Sequence, residues 1–262
     1  MAYETVRFAA DGHIARMTLN RPQALNAISP QMLDDMQAVA AQVTADANLR
    51  VLIIAAEGRA FCAGADLKAI DAMEGSIAKM QRFLSHWQDV FCTLEDLPRP
   101  VIGVCQGLAL AGGFELLQVC DFVLASDNAQ IGDQHINFGL VPGGGGSQRL
   151  PRLIGMRKAK ELMYTGVWLS AAEACEWGLV NKVVAPAELD NAAQELATTL
   201  AAKSPIALRT MKRLVNSGMQ TDLAHGLQME LQTVSIHNVL DDTREGIAAF
   251  KEKRQPVFKG DI

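Results

Sequence analysis

The sequence predicts an α/β fold that ends in a helical region. Two short runs contain only apolar residues and glycine or cysteine, Val51–Ala56 and Val101–Cys105, as expected for strands buried on both faces of a parallel sheet. Stretches with helical spacing alternate with these strands, which indicates the α/β class. Strand signals disappear toward the C-terminus. We therefore predict an α/β core over residues 1–200 and a helical C-terminal region over residues 201–262.

The first predicted elements are a β-hairpin and a helix. Thr5–Phe8 and Ile14–Leu19 flank Asp11-Gly12, a dipeptide that is typical of a tight turn. Ser29-Pro30 then supplies a helix N-cap followed by proline at the first helical position. The apolar positions of this helix share one face: Met32, Leu33, Met36, Val39, Ala40 and Val43.

The middle of the chain adds further helices and strands. Ser76–Leu94 has a helical composition. Gly107–Glu115 is a Gly-rich turn that runs into a helix, and Phe122–Ala125 is a short strand. A second Gly-rich loop, Val141–Gly146, precedes another helical segment.

Beyond Pro186 the apolar spacing is helical only. Three helices are indicated by these residues: Leu189, Ala193, Leu196 and Leu200; Met211, Leu214 and Val215; Leu223, Leu227, Leu231 and Val234.

Composition narrows the class of partner and the compartment. The net charge of −5 and the pI of about 5.6 give no overall attraction to nucleic acid or to an anionic membrane. The five cysteines are odd in number and form no CxxC pair, so we expect reduced thiols. No signal peptide and no apolar run of transmembrane length is visible. The expected location is the cytoplasm.

Several common chemistries lack their motifs. Gly143–Gly146 is followed by Ser147-Gln148-Arg149 and not by the Gly-Lys-Ser/Thr of a phosphate loop. Arg149 also stands where a serine-hydrolase elbow needs glycine. The five histidines are scattered, so the sequence predicts no metal site. These absences favour a site built from backbone N–H groups and one or two titrating side chains.

Two loops carry the features that such a site needs. Phe61–Lys68 and Gly107–Glu115 each follow a buried strand, and small residues let their backbone approach a ligand closely. The N–H groups of Gly112 and Gly113 lie at a helix start, where donors are unpaired. If the loops meet, two N–H groups can stabilise one oxyanion, with Glu115 one turn away to move a proton.

A purely structural interpretation of the same residues is also open at this point. Paired glycines at a strand–helix junction often serve close packing. Glu115 in a first turn would complement the helix dipole, and Asp66 would be an N-cap. Spacing alone does not show that the two loops meet.

The loops and their flanks resemble the crotonase superfamily, which is the enoyl-CoA hydratase/isomerase family. Phe61–Lys68 resembles the FxAGADxK signature, and Gly107–Asp121 resembles the second signature, with Ala111 in place of its first consecutive glycine. Val141–Leu150 and Asn20–Ala27 resemble two further elements. The resemblance covers nearly the whole chain, with the signatures in register.

The resemblance implies a spiral of ββα units and a helical C-terminal part that builds trimers or dimers of trimers. It implies an acyl-CoA thioester as the substrate, without a separate cofactor. The backbone N–H groups of Ala65 and Gly112 would form the oxyanion hole. The CoA moiety would lie along Ala63, Ala65, Asp66, Leu67 and Gly112, and Lys253 and Phe258 belong to a region that often covers it.

The chain departs from the family at one catalytic position. Glu115 matches the first of the two glutamates of the hydratases, whereas the second falls on His135. His135 has three interpretations: an acid/base partner, a hydrogen-bonding group beside Glu115 as sole base, or a packed histidine. Asp133, two residues away, would share its face on a strand and is a minor alternative. His86-Trp87 would line the acyl pocket, although packing is the simpler role.

The main functional hypothesis is hydration of a 2-enoyl-CoA to a 3-hydroxyacyl-CoA through an enolate, with Glu115 and His135 as catalytic residues. An enzymatic alternative uses Glu115 as a single base for isomerisation, decarboxylation or thioester hydrolysis. A non-enzymatic alternative is an acyl-CoA-binding or RNA-binding relative.

Overall fold

This computed structural model describes residues 3–260 of the chain, which contain ten strands and eleven α-helices. The strands are β1 (Val6–Asp11), β2 (Ile14–Leu19), β3 (Val51–Ala56), β4 (Ala60–Cys62), β5 (Val101–Cys105), β6 (Leu108–Leu110), β7 (Phe122–Ser126), β8 (Gln130–Gly132), β9 (Leu169–Ser170) and β10 (Lys182–Val184). The helices are α1 (Pro30–Ala45), α2 (Leu67–Asp71), α3 (Ile77–Glu95), α4 (Gly112–Gln118), α5 (Gly146–Ile154), α6 (Met156–Thr165), α7 (Ala171–Glu176), α8 (Leu189–Ala201), α9 (Pro205–Gly218), α10 (Leu223–His237) and α11 (Asp241–Glu252).

The strands form two sheets. The larger has the order β1-β2-β3-β5-β7-β10, in which β1 and β2 are antiparallel and the other pairs are parallel. The smaller has the order β4-β6-β8-β9, in which β8 and β9 are antiparallel. Each of the pairs β3–β4, β5–β6 and β7–β8 sends one strand to each sheet before the chain turns into a helix. This repeated step is the ββα spiral, and it confirms the α/β prediction.

Local sequence explains the N-terminal elements. The hairpin of β1 and β2 turns at Gly12, whose φ of 54° suits glycine. The Ser29 hydroxyl caps α1 by accepting a hydrogen bond from the backbone nitrogen of Met32 at 3.2 Å. All six residues predicted for the apolar face of α1 are buried.

The apolar strand β3 faces two cores. Leu52 and Ile54 pack into the main cluster, whereas Val51 and Ile53 pack against α8 on the other face of the sheet. Period-2 alternation therefore puts every residue of the strand against apolar neighbours, which is why its sequence shows no polar positions.

The structure differs from the sequence-based elements in the smaller sheet. Its strands have only two or three residues, too few for a recognisable period, and Gly107–Glu115 contains β6 as well as the turn. Asp133 was a minor alternative to His135 on the premise that one strand carries both residues. That premise is wrong, because β8 ends at Gly132 and His135–Phe138 form a 3₁₀ turn.

The C-terminal helices leave apolar side chains in solvent. Helix α10 has no buried residue, and Leu223, Leu227 and Leu231 are 78%, 55% and 63% exposed. The division at residues 200 and 201 stays a prediction. None of the helices among the described residues combines the length and the apolar character needed to cross a bilayer.

Candidate active site

The N-terminal segment fastens the first glycine loop. Asn26 is fully buried, and its Nδ2 atom donates to the carbonyl oxygens of Glu57 at 2.9 Å and Ala60 at 2.8 Å. Arg21 Nη2 lies 2.7 Å from Asp66 Oδ2. Burial raises the pKa of Asp66, but the Arg21 hydrogen bond and charge outweigh it, and the pKa is lowered overall. Asp66 is thus an anionic anchor for the loop as well as the N-cap of α2.

Two hydrogen bonds fix the direction of the Ala65 backbone. Ile28 donates to the carbonyl of Gly64 at 2.8 Å, and Asp66 donates to the carbonyl of Ile28 at 2.9 Å. The N–H of Ala65 lies between them and therefore points away from Ile28. Within residues 3–260, neither this N–H nor that of Gly112 donates to another protein atom.

The two glycine loops meet. A Cβ atom built on Gly64 would lie 3.4 Å from the backbone nitrogen of Gly112, and one built on Gly112 would lie 3.4 Å from Cα of Gly64. Gly64 has a φ of 105°, a conformation that favours glycine. The free N–H groups of Ala65 and Gly112 therefore belong to adjoining backbone segments, the arrangement that an oxyanion hole requires.

Close packing also explains the paired glycines of α4. A Cβ atom on Gly112 would lie 2.4 Å from the Trp87 ring, and one on Gly113 would lie 2.0 Å from the carbonyl oxygen of Cys62. The packing and oxyanion interpretations of these glycines are therefore compatible. Cys62 itself is no nucleophile, since burial raises the pKa of its thiol to about 12.

Ala111 precedes these glycines in a strained conformation. It is the N-cap of α4, with φ 47° and ψ −118°. The second crotonase signature, which Gly107–Asp121 resembles, has glycine at this position. Such a conformation costs an L-residue about 1–3 kcal/mol. The Ala111 N–H donates to the carbonyl of Gly132 at 3.0 Å, which ties the start of α4 to the end of β8.

Glu115 points from the first turn of α4 into the second Gly-rich loop. Its side chain is 1% exposed, and its Oε1 atom accepts from the backbone nitrogen of Gly146 at 2.7 Å. Burial raises the pKa of Glu115, and the Gly146 N–H and the His135 charge offset only part of this effect. A Cβ atom on Gly144 would lie 2.8 Å from Oε2, so this loop needs glycine to cover the carboxylate.

Arg149 fixes the same loop from the other side. Its Nη1 atom donates to the carbonyl of Gly144 at 2.9 Å, while Nε and Nη2 donate to Oε2 of Glu95 at 2.9 and 2.7 Å. Arg149, which stands where a serine-hydrolase elbow needs glycine, therefore has a structural role here. It sets the position of Gly144, the glycine that faces Glu115.

His135 lies opposite Glu115. Its Nε2 atom is 4.0 Å from Glu115 Oε2, and its Nδ1 atom is 2.9 Å from Asp133 Oδ1. A distance of 4.0 Å is too long for a direct hydrogen bond, but one water at about 2.8 Å from each atom would fit between them. The structure therefore brings the two predicted catalytic side chains to one point.

Trp87 belongs to the site, although packing seemed its simpler role. The side chain is buried, and its ring lies against Gly112. A Cβ atom on Gly144 would lie 2.7 Å from its Nε1 atom, which has no hydrogen-bond partner among the described residues. Its neighbour His86 instead pairs with Asp34 at 2.9 Å on the surface.

The other predicted binding residues lie on the same loop or at the C-terminus. The backbone nitrogen of Ala63 donates to the Leu25 carbonyl at 3.0 Å, and Leu67 is 66% exposed at the start of α2. Lys253 is the C-cap of α11, and the carbonyl of Phe258 accepts from Arg50 at 2.9 Å. Contact of these residues with CoA stays a prediction.

Comparisons with known proteins agree on one family. The family profile described as enoyl-CoA hydratase/isomerase matches residues 9–261. The Bacillus subtilis protein named putative enoyl-CoA hydratase/isomerase YngF is 44% identical, with 95% of each chain covered. The crotonyl-CoA hydratase of Syntrophomonas wolfei is 38% identical over 98% of this chain and 99% of that protein.

Solved structures show the same fold. The crystal structure of an enoyl-CoA hydratase from Bacillus anthracis superposes with a TM-score of 0.93 at 42% identity, covering 98% of this chain and 100% of that one. The profile, the relatives and this structure span the ββα core as well as the C-terminal helices. The chain therefore belongs to the enoyl-CoA hydratase/isomerase family.

Proposed function

We propose that the protein adds water to a 2-enoyl-CoA and forms a 3-hydroxyacyl-CoA. The observation that carries the proposal is the convergence of Glu115 and His135 across 4.0 Å, close to the free N–H groups of Ala65 and Gly112. Two proton-transfer groups and two oxyanion donors are the parts that hydration of an unsaturated thioester needs. The names of the relatives support the same reaction.

Addition begins at Cβ of the substrate. A water between Glu115 and His135 gives a proton to Glu115 Oε2, and its oxygen forms a bond to Cβ. The π electrons of the double bond move toward the thioester and form an enolate. The N–H groups of Ala65 and Gly112 stabilise the negative oxygen, each contributing about 3 kcal/mol to the barrier reduction.

Protonation at Cα completes the reaction. The His135 imidazolium gives its Nε2 proton to Cα, and the enolate returns to a thioester. Glu115 is then protonated and His135 neutral, so transfer of one proton from Glu115 to His135 restores the starting state. The sum is one substrate plus one water, with no proton left over.

The mechanism requires Glu115 and His135 to hold one exchangeable proton between them at the start, and their electrostatic surroundings agree with this. Burial lowers the pKa of His135, but the hydrogen bond and charge of Asp133 and the charge of Glu115 outweigh it, and the pKa is raised. A pair that holds one proton near neutral pH is therefore expected, and its two titration steps belong to the pair as a whole.

The substrate class follows from the loop as well as from the family. We expect the thioester carbonyl between Ala65 and Gly112 and the CoA moiety along Ala63, Leu67 and the backbone of Asp66, whose carboxylate is held by Arg21. The reaction as written needs no separate cofactor.

The test is the reaction of purified protein with 2-enoyl- and 3-enoyl-CoA esters in D₂O. Mass spectrometry should show that a 2-enoyl ester gains the elements of D₂O and keeps one deuterium at Cα after return to H₂O. Double-bond migration or exchange without addition of water would contradict hydration and would assign Glu115 as a lone base in an isomerase. Binding of CoA esters or RNA without turnover would favour the non-enzymatic alternative.

A trimer or a dimer of trimers is the assembly that we propose. Large apolar side chains are exposed on α10, and Phe138 and Val141 are likewise 73% and 81% exposed. Large exposed apolar patches are typical of subunit interfaces. Light scattering should give a mass of three or six copies of the 28.3 kDa chain, and a monomer would contradict the proposal.

The cytoplasm is the location that we propose for the enzyme. All five cysteines are free thiols, and a reducing compartment keeps them in that state. Fractionation of cells that express the full chain would test this location, and recovery in a secreted or membrane fraction would contradict it.

A further inference from the structure

We propose that Asp133 is a positioning residue that holds the His135 imidazole with Nε2 toward Glu115, so that an Asp–His pair takes over the work of a second catalytic carboxylate. This inference rests on the proposed hydratase function. It assigns Asp133 a role that differs from the replacement base expected at that position, because Asp133 acts through His135.

One oxygen of Asp133 fixes both the backbone and the ring of His135. Oδ1 accepts from the His135 backbone nitrogen at 3.2 Å and lies 2.9 Å from Nδ1. The first contact closes a short loop between the two residues at the start of the 3₁₀ turn. The second sets the rotation of the imidazole, so that Nε2 faces Glu115 Oε2.

The contact also selects the tautomer of the ring. An ionised carboxylate accepts hydrogen bonds only, so Nδ1 must carry a proton when it contacts Asp133. Neutral His135 then presents a lone pair at Nε2, and the imidazolium presents an Nε2–H donor. Both forms of the ring aim the atom that exchanges protons at the space beside Glu115.

Asp133 is placed where a carboxylate has a strong effect. Its side chain is 1% exposed, and among the described residues its Oδ2 atom has no hydrogen-bond partner. A buried polar atom without a partner costs stability. Such an atom calls for an explanation, and a role in catalysis is one that such groups are known to have.

Two carboxylates face the two ring nitrogens of His135. Glu115 faces it from α4, and Asp133 faces it from the loop after β8. Asp133 and His135 also line a cavity of about 570 Å³, to whose wall α5 and α6 contribute Ser147, Lys160 and Tyr164. The two carboxylates are the charges nearest to the ring, and both stabilise its protonated form.

A double-mutant cycle separates positioning from a structural role. We expect Asp133→Asn to lower kcat about 10²-fold in the presence of His135, with a much smaller change in KM. Added to His135→Gln, the same substitution should cost less than about threefold, because there is no imidazole left to position. Equal losses in both backgrounds would overturn the proposal.

Asp34→Asn is the matched control. It removes the carboxylate of a second Asp–His pair, Asp34 and His86, which has the same 2.9 Å separation but lies on the surface. We expect its kcat and its pH profile to match those of the unmodified enzyme. Asp133→Asn should instead move both limbs of the pH–kcat profile to lower pH, because loss of a neighbouring anion lowers the pKa of the His135–Glu115 pair.

The ring can be observed without any substrate. In the unmodified protein labelled with ¹⁵N-histidine, His135 is identified by comparison with His135→Gln, and its neutral form should carry the proton on Nδ1. Protonation on Nε2 would overturn the positioning role even if hydration is confirmed. An Nδ1–H tautomer together with absence of hydration would retain the Asp–His contact and reject the function on which the inference rests.

Discussion

The two sides of the site are built in different ways. The oxyanion side consists of backbone N–H groups of Ala65 and Gly112, held by glycines that admit no side chain. The acid/base side consists of the side chains of Glu115 and His135, with Asp133 beside His135, and hydrogen bonds hold them in place. The first side contains no ionisable group, and its glycine positions do not accept a side chain. The second can change its chemistry with one residue while the fold stays the same.

The comparison explains where this chain departs from its family. A backbone donor is fixed by the fold, so the glycine signatures remain recognisable in the sequence. A side chain such as His135 only has to bring a proton-transfer atom to the right place. With Asp133 to orient it, an imidazole meets that requirement.

The largest effect on activity is expected on the acid/base side. Glu115→Gln keeps an acceptor for the Gly146 N–H but removes the base, and kcat should fall about 10³–10⁴-fold. Binding of a CoA ester, measured by calorimetry, should persist. A variant with nearly the original kcat would remove Glu115 from the mechanism.

The oxyanion side is tested by removing one of its backbone N–H groups. Ala65→Pro deletes a donor that forms no hydrogen bond within the described residues, and kcat should fall about 10²–10³-fold. Ala65→Gly is the matched variant that keeps the N–H, and it should lose far less. Circular dichroism must show an intact fold for both variants, and equal activity of the two would contradict the oxyanion role.

Proline at Gly112, the other donor, is a less clean probe. Any Cβ atom at that position would lie 2.4 Å from the Trp87 ring. Gly112→Pro should therefore abolish activity through displacement of Trp87 as well as through loss of the N–H. Intrinsic tryptophan fluorescence would detect that displacement.

A smaller effect is expected on the free energy of unfolding, and it again arises on the acid/base side. Burial raises the pKa of Glu115 above its ordinary 4.5, so the folded state favours the neutral carboxyl. The stability linked to this group is fully present below that ordinary pKa and is lost as pH rises through the folded value. Glu115→Gln should therefore raise the free energy of unfolding at pH 7 by about 1 kcal/mol, and by little at pH 4. Equal effects at both pH values in urea unfolding would contradict this linkage.

The smallest effect is expected at Ala111. Replacing it with glycine relieves a positive φ, although glycine also makes the unfolded chain more flexible. The net gain in the free energy of unfolding should be below about 1 kcal/mol. Thermal unfolding would measure it, and a clear loss of stability would mean that the Ala111 methyl group contributes packing that exceeds the strain.

The sequence predicted the parts of the fold with long, regular patterns. β3 and the buried face of α1 were predicted correctly because six or more residues repeat one environment. The smaller sheet was not predicted, because strands of two or three residues show no period. Within the site, the signatures indicated Ala65, Gly112 and Glu115, and geometry was needed to show that their loops meet.

Asp133 shows why the rest was beyond the sequence. Two polar residues separated by one position have a different relation on a strand from the one they have in a 3₁₀ turn. On a strand Asp133 and His135 would point the same way as alternatives, whereas here Asp133 lies just before the turn and binds the His135 ring. Likewise, the partner of Asp66 lies 45 residues away at Arg21, and no local pattern reveals it.

The hydrogen bond from the Gly146 N–H to Glu115 has a consequence for the route of the proton. Oε1 of Glu115 accepts that N–H and Oε2 faces His135, so Oε2 is the oxygen placed to take up and give back protons. Addition and elimination of water then follow the same route through a single atom, in opposite directions. One oxygen therefore serves both the forward and the reverse reaction, and the net direction depends on the concentrations of substrate and product relative to the equilibrium constant.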